Sequence, residues 1–129
     1  MKYNKFTIQI NKPVSEVFEF TLNPKNTPKW IDSIIYEERN QSPTKIGTIY
    51  KNKNRNGNWS KYKVTKLKVN EMFVFTKNDN NYHVRYTFKP LNNNAMELEY
   101  HEWLDRGEIF EEPFVLEALQ KLKSVLENS

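Results

Sequence analysis

The sequence predicts an α+β domain: a curved antiparallel sheet of seven strands gripping one long C-terminal helix. Three observations carry this. Through the middle of the chain, apolar residues recur with period two in six short segments. The closing residues PFVLEALQKLKSVLENS instead repeat with the period of a helix. Between the first strand and the rest lies INKPVSEVFEFTLNPKNTPKW, residues 10 to 30, where three prolines break the chain into two short helical turns.

Taken in order, residues 3 to 10 put Phe6, Ile8 and Ile10 on one side of a strand and Lys5, Thr7 and Gln9 on the other. Asn11 offers a helix cap and Pro13 suits a first helical turn. Val14, Val17, Phe18 and Leu22 follow at helical spacing, and Asn23-Pro24 ends the helix, because proline pushes its predecessor out of the α region. A second short turn runs from Pro24 to about Ile31 and carries Trp30 near its end. Strands are expected at 33–39, 47–53, 59–67, 71–77, 81–89 and 95–103, separated by turn-rich pieces such as NRNGN, KVNE, NDN and PLNNN. In the last helix Val115, Ala118, Leu119, Leu122, Val125 and Leu126 form one apolar face, with Glu111 and Glu112 at its positive end. A curled sheet around one helix leaves an open end, and the proline-broken pair of helices is placed to close it. The order is β-α-α-β6-α, one domain over residues 1–129.

Composition narrows the function. The chain has no cysteine, hence no disulfide framework, thiol nucleophile or thiolate metal site. No run approaches membrane-spanning length and MKYNKF lacks an apolar signal core, so a cytoplasmic protein without membrane insertion is expected. Seventeen asparagines and a lysine-to-arginine ratio of sixteen to four are read as codon bias. Nine basic residues and no acid lie between Arg39 and Asn70, whereas Glu97 to Ser129 carries nine acids against three bases. Arginine, the preferred phosphate fork, is scarce, so the basic stretch reads as the wet face of a sheet and no specific nucleic-acid partner is expected.

The pattern Ile8-x-Ile10-x-x-Pro13-x-x-x-Val17-Phe18, then Asn23-Pro24 and Pro28-Lys29-Trp30, resembles the START-like, or SRPBCC, superfamily. Ile46-Gly47-Thr48, Phe88-x-Pro90 and Leu119-x-x-Leu122-Lys123-x-x-Leu126-Glu127 extend the resemblance over nearly the whole chain, while the Gly-Gly-Thr that commonly opens the family's last strand is Asn93-Asn94-Ala95 here. The resemblance implies the helix-grip fold of polyketide cyclases and lipid-transfer domains. It also implies a cavity between sheet and helix holding a hydrophobic, lipid- or polyketide-like small molecule. Members bind, cyclise, dehydrate or assist a chaperone, and the fold alone does not choose among them.

Cavity candidates are Tyr50, Tyr62, Phe73, Phe75, Tyr86, Phe88, Leu98 and Tyr100 from the strands, with Leu119 and Leu122 from the last helix above Tyr86 and Tyr100. Phe18 and Trp30 are assigned to closing the cavity's end. Aromatics in the basic stretch (Tyr50, Trp59 and Tyr62) are read as inward residues, not as base-stacking platforms. If the last hairpin turns over Pro90–Asn94, Phe88 faces Met96, His83 opposes His101 and Arg85 opposes Glu99. On that register the two histidines form an outer-face ladder, an incomplete metal site. Nothing else marks catalysis: there is no Gly-x-Ser-x-Gly elbow, no phosphate-cradling loop and no HExxH. The expectation is therefore a binding protein for a hydrophobic small molecule, without metal, cofactor or assigned catalytic residue, a homodimer being allowed. The alternatives are a cyclase- or dehydratase-type enzyme acting through cavity tyrosines, and a chaperone-activator-like interaction module. An inward-facing His or Glu favours the enzyme.

Overall fold

The computed structural model describes residues 3–108 and 113–129. Strand β1 (Tyr3–Ile10) leads into α1 (Val14–Leu22) and the single turn α2 (Thr27–Trp30). Six strands follow: β2 (Ile34–Arg39), β3 (Ile49–Asn54), β4 (Trp59–Lys68), β5 (Met72–Lys77), β6 (Tyr82–Asn92) and β7 (Ala95–Leu104). Helix α3 (Pro113–Glu127) closes the chain. The strands form one antiparallel sheet in the order β1-β7-β6-β5-β4-β3-β2, so β1 pairs with the last strand and the others follow as a meander. The sheet curls into a half-barrel around the helices, a helix-grip α+β fold.

Local chemistry explains the elements. Pro13 stands just before α1, where its missing N–H costs nothing, and its carbonyl accepts from Glu16 N and Val17 N. Asn11 does not cap this helix; its backbone N–H donates instead to Glu127 Oε2 at 2.7 Å, tying the end of β1 to the end of α3. Lys123 completes that tie through the carbonyl oxygen of Gln9 at 2.8 Å and Glu127 at 2.6 Å. Asn70 and Asn80 hold positive φ in the tight turns before and after β5, a conformation asparagine tolerates better than most residues. Part of the asparagine excess is thus turn chemistry and not codon usage alone. Glu111 and Glu112, expected at the start of α3, lie outside the described residues.

The core sits beneath α1 and α3. Phe18 meets Phe88 and Phe73 edge-on at 5.1 and 5.8 Å, and Phe73 stacks on Tyr86 at 4.7 Å. Ile10, Met96, Leu98, Leu119 and Leu122 are fully buried in the same cluster. Helix α3 lies chiefly against β1 and α2, and α2 rests on β2. Lys121 on α3 pairs with Asp32 after α2, and that hydrogen bond, more than its charge, holds the Asp32 carboxyl below the usual carboxylate range. Because α3 leans toward the β1 edge and α2, part of the inner sheet is covered by α1 and α2 and not by α3. No helix among the described residues is long and apolar enough to cross a membrane.

The last hairpin differs from the expected register by two residues. Strand β6 runs past Pro90 to Asn92, with an irregularity between those residues, so the turn tightens around Asn93 and Asn94. Tyr86 then faces Tyr100, Phe88 faces Leu98, Arg85 faces His101 and His83 faces Trp103. Side-chain parity survives a two-residue shift, so both histidines still face outward.

Candidate ligand-binding cavity

Where α3 does not reach, the inner sheet and the α1–α2 corner enclose a cavity of about 210 Å3, partly open to solvent. Seven of its fourteen lining residues are aromatic: Trp30, Tyr50, Tyr62, Phe75, Tyr82, Tyr86 and Tyr100. Thr21, Thr27, Ile31 and Ile34 come from the helical corner and the start of β2, Val84 from β6, and Glu37 and Asn52 from β2 and β3.

Of the residues singled out from the sequence, Tyr50, Tyr62, Phe75, Tyr86, Tyr100 and Trp30 line this space. Phe73, Phe88, Leu98, Leu119, Leu122 and Phe18 do not; they are packed into the core, each 3% exposed or less. The reason is the tilt of α3 toward β1, which fills the region under the helix and moves the void to the other half of the sheet. Trp59, expected inward, is 52% exposed. It shares parity with Lys61 and Lys63, stands edge-on to Tyr36 at 6.1 Å and lies 5.9 Å beneath the Lys53 ammonium.

The polar groups of the wall fall into three sets. At the α1 end, Tyr50 donates its hydroxyl to the carbonyl oxygen of Leu22 at 2.7 Å and lies 2.5 Å from Thr44 Oγ1. Arg39 donates to the same threonine at 2.9 Å, so this set is structural, pinning β3 to the end of α1. Burial raises the Tyr50 phenol above its ordinary pKa.

At the β6–β7 side, the buried Glu102 accepts from Tyr82 at 2.6 Å and Tyr100 at 3.3 Å on one oxygen, and from Asn4 Nδ2 at 3.1 Å on the other. Burial drives the Tyr82 and Tyr100 phenols far above their ordinary range, and Glu102 adds to both shifts. Glu102 continues the inward alternation of Leu98 and Tyr100 along β7, so its orientation was open to reading from the sequence.

The third set belongs to Glu37, Trp30, Tyr62 and Tyr86, all of them lining residues. Glu37 Oε1 accepts from Thr27 Oγ1 at 2.5 Å and Oε2 from Asn52 Nδ2 at 3.3 Å. Burial raises its pKa above 4.5 despite those two hydrogen bonds, which oppose the shift. The Trp30 indole N–H is buried and has no hydrogen-bond partner among the described residues. Tyr62 and Tyr86 donate to no described protein group; burial first, then the Glu37 carboxylate, pushes Tyr62 up to about 12 and Tyr86 higher still.

The raised pKa of Glu37 makes a signed prediction. The folded state holds this proton more tightly than the unfolded chain, so its contribution falls as pH rises from about 4.5 through the folded pKa. Glu37→Gln removes the titration. Its thermal midpoint relative to wild type is therefore expected to improve with rising pH across that window, in parallel melts. A difference that stays flat or runs the other way would show Glu37 is not held protonated by its surroundings.

The outer face is built differently. His83 bonds Thr76 Oγ1 at 2.9 Å and Asp105 Oδ2 at 2.7 Å while stacking on Trp103, and His101 Nδ1 accepts from Arg85 Nη2 at 3.1 Å. Desolvation, then Arg85 and Lys5, lowers the His101 pKa. Each histidine thus has its own protein partners. Among the described residues no three His, Cys, Asp or Glu side chains cluster as metal ligands.

An aromatic-lined cavity in a sheet curled around a helix defines a helix-grip protein, and solved structures of low identity share the whole fold. XoxI from Bacillus cereus is 13% identical with a TM-score of 0.78, covering 99% of this chain and 97% of that one. The di-domain ARO/CYC protein BexL of the BE-7585A biosynthetic pathway is 11% identical with a TM-score of 0.77, covering 98% of this chain and 47% of that one. Aha1 from Colwellia psychrerythraea, a dimer, is 17% identical with a TM-score of 0.69, covering 98% and 97%. No curated protein sequence matches. Residues 28–118 match the family described as a domain of unknown function, DUF3284, and the chain belongs to that family.

Proposed function

We propose that this is a START-like protein that binds a hydrophobic, aromatic small molecule between the α1–α2 corner and the inner face of β2 to β7. The observation that carries the reading is the unfilled space itself, walled by seven aromatic side chains. A dry cavity of about 150 Å3 holds a benzene ring, so about 210 Å3 open on one side takes roughly two fused rings. This is smaller than the several hundred cubic ångströms typical of drug-sized sites.

Glu37 favours a second reading, an enzyme that moves a proton on the bound molecule, since a carboxyl with a raised pKa in a cavity suits general acid or base work. The interaction-module reading calls for a filled interior, and the void speaks against it.

The test uses a neutral naphthalene probe and Val84→Phe. Val84 is 6% exposed and lines the void, so the added ring occupies ligand space. Probe affinity is expected to fall at least about tenfold with little change in thermal midpoint. In a filled interior the same change overpacks and costs about 1–3 kcal/mol. A large stability loss with unaltered probe binding, or no binding by the unaltered protein, would sink the proposal.

A further inference from the structure

The charge of the ligand is written into the wall of the cavity. Its lining contains one carboxyl group, Glu37, and no lysine, arginine or histidine. Glu102, close by, is not a competing site, because Tyr82 and Tyr100 occupy one of its oxygens and Asn4 engages the other. Glu37 is different. A carboxylate offers about four acceptor positions, and Thr27 and Asn52 take one on each oxygen. No cation of the described protein lies within ion-pair distance of it. The same lining carries the rings of Trp30, Tyr50, Tyr62, Phe75 and Tyr86.

Two features of the lining therefore favour a cation. One is the carboxyl, and the other is the set of aromatic side chains, whose ring quadrupoles attract an organic cation that meets a ring face, more strongly when desolvated. An anionic ligand meets repulsion from Glu37, with no basic side chain in the lining to offset it.

We propose that the ligand is an aromatic amine or a comparable organic cation, its protonated nitrogen bonded to Glu37 and its ring system held among the aromatic side chains. This rests on the cavity being a binding site, and it narrows that reading to a chemical class.

The experiment compares three probes of matched shape by calorimetry at neutral pH: naphthylmethylamine, naphthylmethanol and naphthoate. The amine is expected to bind at least about tenfold tighter than the alcohol, the margin of a charge-assisted hydrogen bond, with naphthoate weakest. Glu37→Gln is expected to weaken the amine far more than the alcohol, bringing the two within about twofold; Glu37→Leu serves the same purpose if the amide variant does not fold. Equal binding of amine and alcohol overturns the cationic assignment and leaves the cavity reading standing. So does preference for naphthoate, or an amine preference that survives in both variants. Failure of all three probes to bind the folded, unaltered protein overturns both.

Discussion

Phe73→Ala is expected to cost about 3–5 kcal/mol and to lower the thermal midpoint by roughly 10–20 °C. Phe73 is fully buried and touches Phe18, Phe75, Phe88 and the face of Tyr86. Its removal opens a hole between the α1 packing and the sheet, where no neighbour can swing in without breaking another ring contact. Phe75 is the contrasting control. It sits two residues further along the same strand but borders the void, so part of its surface is already without a protein partner. Phe75→Ala is expected to cost less than half as much while changing probe binding more. Urea unfolding of both variants checks this, and equal losses would mean that core and cavity are not separate regions.

That division was the part of the molecule least legible in the sequence. Period-two alternation marked all seven strands, and the apolar stripe marked α3, because each is a local property of a pleat or a helix. What the stripe of Leu119, Leu122 and Leu126 does not say is which strands lie beneath it. The lean of α3 toward β1 depends on ties from Asn11 and Gln9 to Glu127 and Lys123, more than a hundred residues apart in sequence. The ten-residue candidate list was therefore an inward-facing list, and inward residues divide into core and wall according to that lean.

Glu37 was hidden for a sharper reason. In β2 the register shifts between Ile34 and Tyr36. Ile35 and Tyr36 are about half exposed while Ile34 and Glu37 turn toward the cavity, so simple alternation across IIYEER puts the wrong residues inside. A bulge of one residue reverses every side chain beyond it, and bulges recur beside binding sites for that reason. The hairpin register failed more mildly, since asparagine-rich sequence fits a five-residue turn and a tight one equally well.

Glu102→Ala is the second variant expected to be severe. The carboxyl links three neighbouring strands, accepting from Asn4 on β1 and from Tyr82 on β6 as well as Tyr100 on its own strand. Alanine withdraws the shared acceptor from a buried site. The two tyrosine hydroxyls, 3.3 Å apart, can then satisfy only one donor between them, and the Asn4 side chain loses its bond to Glu102. A buried donor left without its partner costs about 1–3 kcal/mol, so a loss of roughly 2–4 kcal/mol is expected for the group. Glu102→Gln keeps the shape and a carbonyl acceptor, and is expected to recover more than half of that loss in the same urea titration. The pair of variants also bears on the cavity. Tyr82 and Tyr100 line its wall, and Glu102 fixes their hydroxyl ends while making no contribution to the lining. Probe affinity is therefore expected to fall in the alanine variant, measured where it remains folded, and to hold in the amide. An alanine variant within about 0.5 kcal/mol of wild type, with probe binding intact, would show that these strands hold their tyrosines in place without the carboxyl.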